Sequence, residues 1–188
     1  AAVEPTVSAP FSRLAFLEGE EGVVRGLVAE GIPFMEAYRA EVYQTKSFNV
    51  GLLLISLLIF LLCWLRFILA KSEFHSLPTV DRRAHRISLA LAGVMIATLL
   101  FGVLAIALSL SGLAQEIPAV LKAWLWAPVI GAATTMYHFY WSINVWRRSY
   151  LGGIWSRIRF TAVTFAGLAM SWFYWYWHLY PFQYMDGV

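Results

Sequence analysis

Histidine is the residue type in this chain best suited to holding a metal or a haem, and the sequence has four of them. His138 lies within one long apolar stretch and His178 near the end of another. If both stretches are membrane helices, His138 lies roughly 7 Å to one side of the bilayer midplane and His178 roughly 12 Å to the other. Two axial ligands of one haem must share a depth. His138 and His178 are therefore separate cofactor-binding candidates, and no cofactor is predicted.

An ionisable residue inside an apolar helix is a default indication of function. His138 with Asn144 is the buried polar pair that this criterion selects, and a hydrogen bond between helices is the alternative interpretation. His75 and His85 fall in a polar loop, and the single cysteine, Cys63, excludes both an intrachain disulfide and a multi-cysteine metal site. No metal site is predicted.

Catalytic motifs are missing from the sequence. It contains no Ser-x-x-Lys, Gly-x-Ser-x-Gly, Gly-Lys-Ser/Thr or His-Glu-x-x-His motif. The acidic residues near the amino terminus, among them Glu18, Glu20 and Glu21, fall in turns and indicate a solvated face. No catalytic residue is predicted, and whether the chain belongs to an enzyme is left open.

Two aromatic runs, MYHFYWSINVW (136–146) and WFYWYWHLY (172–180), are the most unusual local feature. Trp and Tyr favour the level of the lipid headgroups, where the ring lies in apolar surroundings and the N–H or O–H meets water. The runs therefore predict interfacial belts, with a quinone or pigment pocket as the alternative. The predicted interface residues are Trp141, Trp146, Trp155, Trp172, Trp175 and Trp177.

The elements that carry these residues are long apolar blocks. The chain is 60% hydrophobic and 13% charged, whereas about a quarter of the residues of a soluble domain are charged. The block at 48–70 has no charged residue between 50 and 65, and about 20 apolar residues in a helix cross a bilayer core. We expect spans at about 48–70, 87–110, 121–146 and 160–180, with a kink at Pro128.

Small residues mark where these helices can approach one another closely. On the second span they are Gly93, Ala97, Gly102, Ala105 and Ser109. The domain prediction is a four-helix transmembrane domain at 48–188, preceded by an extracytoplasmic segment at 1–47. The fold class is thus an all-α integral membrane protein with four transmembrane helices and a small β-rich N-terminal extramembrane segment.

The front segment begins AAVEPTVSAP, which predicts an arm or linker and a processed amino terminus or a fragment start. Apolar runs at 14–17 and 23–28 flank a Gly-bounded acidic turn at 19–22, which predicts a hairpin. Residues 32–38 fit either a third strand or a short helix.

Charge predicts the orientation, because Lys and Arg accumulate on the cytoplasmic side of membrane proteins. The loop at 71–86, with Arg66 before it, carries five basic residues, and the loop at 147–159 carries four. Both loops should face the cytoplasm and both termini should face outward. No nucleic-acid partner is predicted. The arginines predicted to set topology and meet lipid headgroups are Arg66, Arg82, Arg83, Arg86, Arg147, Arg148, Arg157 and Arg159.

The order of these features resembles the C-terminal region of membrane-anchored serine hydrolases of the β-lactamase/penicillin-binding-protein-like class. The resemblance is carried by Phe16, the acidic turn ending at Gly22, Val23 and Leu27, then PFMEAYR, a first span, and the final WYWHLYPFQY. It implies a periplasmic catalytic domain upstream and a bacterial inner-membrane location. The catalytic motif of that class has no counterpart here, so the resemblance implies an anchor.

Three functions follow as hypotheses. The first is a non-catalytic membrane anchor or scaffold, bound to lipid and to a periplasmic partner or upstream domain. The second is an accessory subunit of a larger respiratory or photosynthetic complex, packing lipid, pigment or quinone. The third is a small transporter or sensor that uses His138 and Asn144.

Overall fold

The computed structural model describes residues 14–18, 24–29, 36–38, 41–70, 74, 76–109 and 118–181. The chain divides into two units, Ala1–Phe48 and Asn49–Val188. In the first unit, β1 (Leu14–Glu18), β2 (Val24–Ala29) and β3 (Glu36–Tyr38) form an antiparallel sheet in the order β1-β2-β3. The arm at 1–13 and the acidic turn at 19–22 lie outside the described residues.

A short 3-10 turn, Val42–Gln44, leads into the first long helix. The Gln44 side chain accepts a hydrogen bond from the Glu41 backbone N–H at 3.0 Å. The Thr45 hydroxyl donates to the Val42 carbonyl and accepts from the Phe48 N–H. These bonds satisfy backbone groups that a helix start leaves without intrahelical partners.

Helix α1 spans Lys46–Leu69, and α2 spans Thr79–Ser109. The second helix therefore begins eight residues before the expected start of the span at 87, and the loop expected at 71–86 is shorter. Pro78 precedes the helix, where its missing N–H costs nothing, and Asp81 in the first turn complements the positive end of the helix dipole.

The expected third span is divided in two. Helix α3 covers Ala119–Trp124 and α4 covers Ala127–Arg147, with Pro128 in the first turn of α4. Proline, which has no backbone N–H, is tolerated there because the N–H groups of the first helical turn have no acceptor within the helix. The interruption at 125–126 lies just before Pro128, the residue at which the sequence predicted a kink.

Helix α5 spans Ile154–Tyr176 and corrects the predicted fold class. In the described part of the chain, three segments are long and apolar enough to cross a membrane: Lys46–Leu69, Thr79–Ser109 and Ala119–Arg147. Helix α5 is not among them, because Arg157, Arg159 and many Trp, Tyr, Ser and Thr side chains dilute its apolar residues. The prediction of four transmembrane helices is therefore wrong. Three candidate spans indicate a multi-pass membrane protein whose apolar helices are compatible with lipid contact.

The helical unit is held around one main core. Phe60 from α1 joins Leu91 and Met95 from α2 and Met170 and Tyr174 from α5, all of them fully or almost fully buried. A second cluster, at the end near the 148–153 connection, contains Ala84, Val145, Leu151 and Phe160. The candidate site lies between these two clusters.

Candidate functional site: a buried histidine beside a cavity

His138 lies at the meeting point of three helices. It is fully buried on α4. Its Nε2 atom is 2.9 Å from the Ser88 hydroxyl on α2, and its Nδ1 atom is 2.9 Å from the Thr164 hydroxyl on α5. The Phe160 ring stacks on the imidazole with 4.2 Å between centroids. One side chain thus links α2, α4 and α5.

The hydrogen bonds form a chain with one consistent direction. The Thr164 hydroxyl donates to the Phe160 carbonyl at 3.3 Å, so it accepts from the Nδ1–H of His138. The Nε2 atom is then the acceptor for the Ser88 O–H. This assignment of protons follows from the network. It satisfies the hydroxyls and both ring nitrogens, as burial in a low-dielectric interior requires.

A serine bonded to a histidine that a third group orients is also the arrangement of an activated nucleophile. Here the third group is a threonine hydroxyl, which lacks the negative charge that an aspartate uses to stabilise an imidazolium. Ser88 is only 4% exposed. The arrangement therefore fits an interhelical clamp better than a catalytic centre.

Asn144 does not join His138. It is half-buried, and its side-chain N–H donates to the Tyr140 carbonyl on its own helix at 2.9 Å. The expected pair is thus replaced by Ser88 and Thr164, which the sequence analysis missed. Both lie on the buried face of their helices, at positions such as 84, 88, 91 and 95 on α2 that recur every three or four residues.

The other histidines lie apart. His178 is exposed beyond the end of α5, with a φ angle of 53°. His85 is half-buried on α2, with its ring 5.9 Å from that of Phe74. His75 lies outside the described residues. Among the described residues, no group of three His, Cys, Asp or Glu side chains could hold a metal ion.

A cavity of about 370 Å³ adjoins the histidine clamp. Its walls come from α1, from the start of α2, from the 148–153 connection and from the first half of α5. Ser88 and Phe160 form part of its lining, so one face of the clamp is a wall of the cavity. Arg66, Asp81, His85 and Arg159 also line it. No pattern in the sequence predicts this cavity.

The predicted topology arginines have different roles. Arg157 donates to the carbonyls of Tyr150 and Ser149, which holds the 148–153 connection. Arg82 donates to the Leu77 carbonyl, and Arg148 to the Tyr150 hydroxyl. The Arg83 guanidinium lies 5.3 Å from the centre of the Trp141 ring, a cation–π distance. The arginines on exposed positions are Arg66, Arg83, Arg86, Arg147, Arg148 and Arg159.

Asp81 makes a hydrogen bond that the sequence did not predict. Its Oδ1 atom accepts the backbone N–H of Leu151 at 3.0 Å, across 70 positions in the sequence. Ser149 and Leu151 have positive φ angles of 54° and 68°, which are unusual for residues with a side chain. The bonds from Asp81 and Arg157 help hold this strained connection beside the cavity.

The predicted interface tryptophans also differ from one another. Trp155 is 73% exposed and Trp175 58% exposed, as lipid-facing or headgroup-level residues should be. Trp146 instead donates to the Thr161 hydroxyl at 2.8 Å, and Trp177 donates to the Asn49 side-chain oxygen at 3.0 Å. Trp172 stacks on Tyr176. At least two of these indoles therefore bind one helix to another.

Trp124 is a structural residue that the sequence analysis missed. It is 6% exposed on α3, and its indole N–H donates to the Thr98 carbonyl on α2 at 2.9 Å. A Cβ atom on Gly102 would lie 2.8 Å from the Trp124 ring. The absence of a side chain at Gly102 thus provides the space for this tryptophan.

Comparison with known proteins yields no relative: no family model, no curated protein and no solved structure matches the chain.

Proposed function

We propose that this chain is a non-catalytic membrane anchor of a periplasmic serine-hydrolase-like protein in the bacterial inner membrane. The observation that carries the anchor function is the surface of α1. Most of its large apolar side chains are exposed, from 37% at Trp64 to 76% at Leu69. Such a surface is costly in water and favourable in hydrocarbon. The link to a hydrolase comes from the sequence resemblance.

The orientation proposed with this function puts the front segment outside and both basic segments at the cytoplasm. Three spans are sufficient for that arrangement, because the segments after the first and third spans share a side. Arg66, Arg86 and Arg147 are exposed at those ends, where the positive-inside preference places basic residues. The predicted outward position of the carboxyl terminus depended on a fourth span, so it is not part of this proposal.

The hydrolase partner can be tested with a reactive probe. A tag is added to this chain in its native genome, the membranes are treated with a fluorescent β-lactam, and the tagged material is isolated in mild detergent. We expect label on the tagged polypeptide or on a protein that co-purifies with it. Unlabelled tagged material, in membranes whose other penicillin-binding proteins are labelled, would refute the hydrolase link. A pigment or quinone in that material, detected by absorption, would instead favour the accessory-subunit hypothesis.

The orientation can be tested by cysteine labelling, because Cys63 is the only cysteine to remove. Gln44→Cys and Ser149→Cys are each introduced into a Cys63→Ser background, at exposed positions before α1 and after α4. A membrane-impermeant maleimide should label the first variant in intact cells and the second only after lysis. The reverse pattern would invert the orientation.

A further inference from the structure

The cavity beside the histidine clamp has the depth of one lipid leaflet. Along α1 its lining runs from Ile59 to Ala70, which is roughly 16 Å at the rise of an α-helix. A bilayer core is about 30 Å thick. The cavity therefore extends from the charged ends of the helices to about the middle of the membrane.

The lining changes character along this depth. The deep part is apolar and is formed by Ile59, Leu62, Ala162 and Val163. The shallow part contains Arg66, Ser156 and Arg159, together with Asp81 and His85. An apolar end at mid-membrane and a charged end at headgroup level match the two parts of an amphiphile.

The shallow part favours an anion. In the described lining, this end contains two arginines and one carboxylate, and that carboxylate, Asp81, already accepts the Leu151 N–H. Among the described residues, Arg159 bonds only to groups of its own helix turn, the Trp155 carbonyl and the Ser156 hydroxyl, at 3.2 and 3.4 Å. Within the described residues, the structure gives the Arg66 guanidinium no hydrogen bond or ion pair. Among the lining residues that the structure describes, His85 is the other titratable side chain at this end.

We propose that this cavity binds one anionic phospholipid, with its phosphate near Arg66 and Arg159 and one acyl chain between α1 and α5. Basic pockets between membrane helices are the sites at which proteins bind anionic headgroups. The volume of about 370 Å³ is within the range of small-molecule sites, roughly 300–1,000 Å³. This inference is independent of the hydrolase link. It requires that the candidate span α1 lies in a membrane and that α5 stays packed beside it through the main core, whether or not α5 itself crosses the bilayer.

A soluble anion fits this site poorly. Inorganic phosphate would occupy the arginine end and leave the apolar depth of the cavity without a partner. A phospholipid satisfies both ends, and it is already present at high concentration around the exposed face of α1. A free fatty acid shares the same chemistry, so the experiment must separate these two sources of an anionic chain.

The test is native mass spectrometry of the protein in nanodiscs made from phosphatidylcholine alone, or supplemented with phosphatidylglycerol or with oleate. We expect one retained phosphatidylglycerol on the wild-type protein. The Arg66→Gln/Arg159→Gln double variant should retain it more than tenfold less well, since each arginine near a membrane surface is worth about fivefold. Retention of oleate in preference to phosphatidylglycerol would overturn the assignment to a phospholipid.

The matched control is Arg86→Gln/Arg147→Gln, which removes the same charge from exposed positions outside the cavity lining. It should retain the lipid like the wild type. An equal loss in both double variants would show general surface attraction and overturn the proposal.

The acyl part is tested by Ala162→Phe, which fills the apolar depth, with Ile158→Phe on an exposed position as control. Ala162→Phe should lose the lipid while Ile158→Phe keeps it, and circular dichroism shows whether each variant is folded. Retention of the lipid by folded Ala162→Phe would overturn the placement of the acyl chain.

Cys63 also lines the cavity. In the wild type, bound phosphatidylglycerol should therefore slow the alkylation of Cys63, and an unchanged rate would contradict the site.

Discussion

Helices α1 and α5 differ in how apolar their side chains are and in how many of them are buried. Helix α1 is a candidate membrane span, yet only Asn49, Ser56 and Phe60 are buried among its 24 residues. Helix α5 fails the apolarity criterion, yet it buries seven of its 23 residues. Apolar side chains place a helix in hydrocarbon, but lipid is as apolar as leucine and gives helices no hydrophobic reason to associate. Small and polar residues supply the association instead.

The two helices are correspondingly attached in different ways. Two of the three buried residues of α1 are polar, and one of them, Asn49, accepts a hydrogen bond from Trp177. Helix α5 meets its neighbours through Gly167, where an added Cβ would lie 2.9 Å from the Thr135 hydroxyl, and through Thr164 at the histidine clamp. The cavity lies between α1 and α5 at one end of the unit.

The largest loss of stability is expected from His138→Ala. The substitution leaves a void among three helices and removes the partner of the Ser88 and Thr164 hydroxyls. Truncation of a large buried side chain costs about 3 kcal/mol, and orphaned polar groups add to that cost. The measurement is unfolding by dodecyl sulfate in mixed micelles, followed by tryptophan fluorescence.

Asn144→Ala is the matched control for that substitution. Asn144 bonds to a carbonyl of its own helix, so its removal should change the free energy of unfolding by less than about 0.5 kcal/mol. If both variants lost the same amount, the three-helix role of His138 would be refuted.

Gly167→Ala should give the next largest effect. The new Cβ would meet the Thr135 side chain at 2.9 and 3.1 Å and the Leu91 side chain at 3.2 Å, so these buried side chains, or the helices that carry them, must shift. Overpacking of this kind costs about 1–3 kcal/mol. The same substitution at Gly51 on α1 has nothing within 4 Å, and alanine is the better helix former by about 1 kcal/mol. A lower free energy of unfolding for Gly167→Ala and a higher one for Gly51→Ala would confirm the contrast between α5 and α1. A lower free energy of unfolding for Gly51→Ala would contradict it.

Hydrophobic length was sufficient to predict α1 from the sequence. The segment from 50 to 65 has no charged residue, so it can be recognised as an apolar helix without any tertiary information. The start of α2 at Thr79 was missed because its first turns are basic and contact the 148–153 connection, so they lack the composition of a span.

Small residues predicted the contact face of α2 only in part. Gly102, Ala105 and Ser109 are buried, but Ala97 is exposed and Gly93 is half-buried against Trp64. A small side chain permits close approach without specifying which side the neighbour occupies.

The candidate site was predicted from the sequence only at His138. Its partners Ser88 and Thr164 are 50 and 26 positions away, and their hydroxyls are of a kind that often bonds to the helix backbone. Only the packing of three helices brings them together. The cavity depends on the separation of α1 from α5, which no local pattern encodes.

Tyr174→Phe should increase stability. The Tyr174 hydroxyl on α5 is buried and has no hydrogen-bond partner among the described residues. An unsatisfied buried polar group costs about 1–3 kcal/mol, and the small void left by its removal offsets part of the gain. We expect a net increase of about 1 kcal/mol in the same unfolding assay.

Tyr180→Phe is the control, and its free energy of unfolding should change in the opposite direction, because the Tyr180 hydroxyl donates to the Ser171 carbonyl at 3.2 Å. That variant should lose about 1 kcal/mol. A loss for Tyr174→Phe would indicate that its hydroxyl has a partner such as an ordered water, and that the tight packing of α5 includes a polar contact.

The smallest effect is expected from Trp177→Phe, which tests how α1 is attached. The substitution removes the bond from the indole to Asn49 while keeping an aromatic ring. Hydrogen bonds between membrane helices average about 0.6 kcal/mol, so global stability should barely change. Hydrogen exchange should nevertheless rise in the first turns of α1 and stay unchanged in α5, because this bond joins α1 to the end of the bundle while α5 keeps Gly167 and the histidine clamp. Asn49→Leu should reproduce the result, since it removes the other partner of the same bond. Faster exchange in α5 as well would mean that α1 and α5 open together as one cooperative unit. It would contradict the view that α1 is attached more weakly than α5.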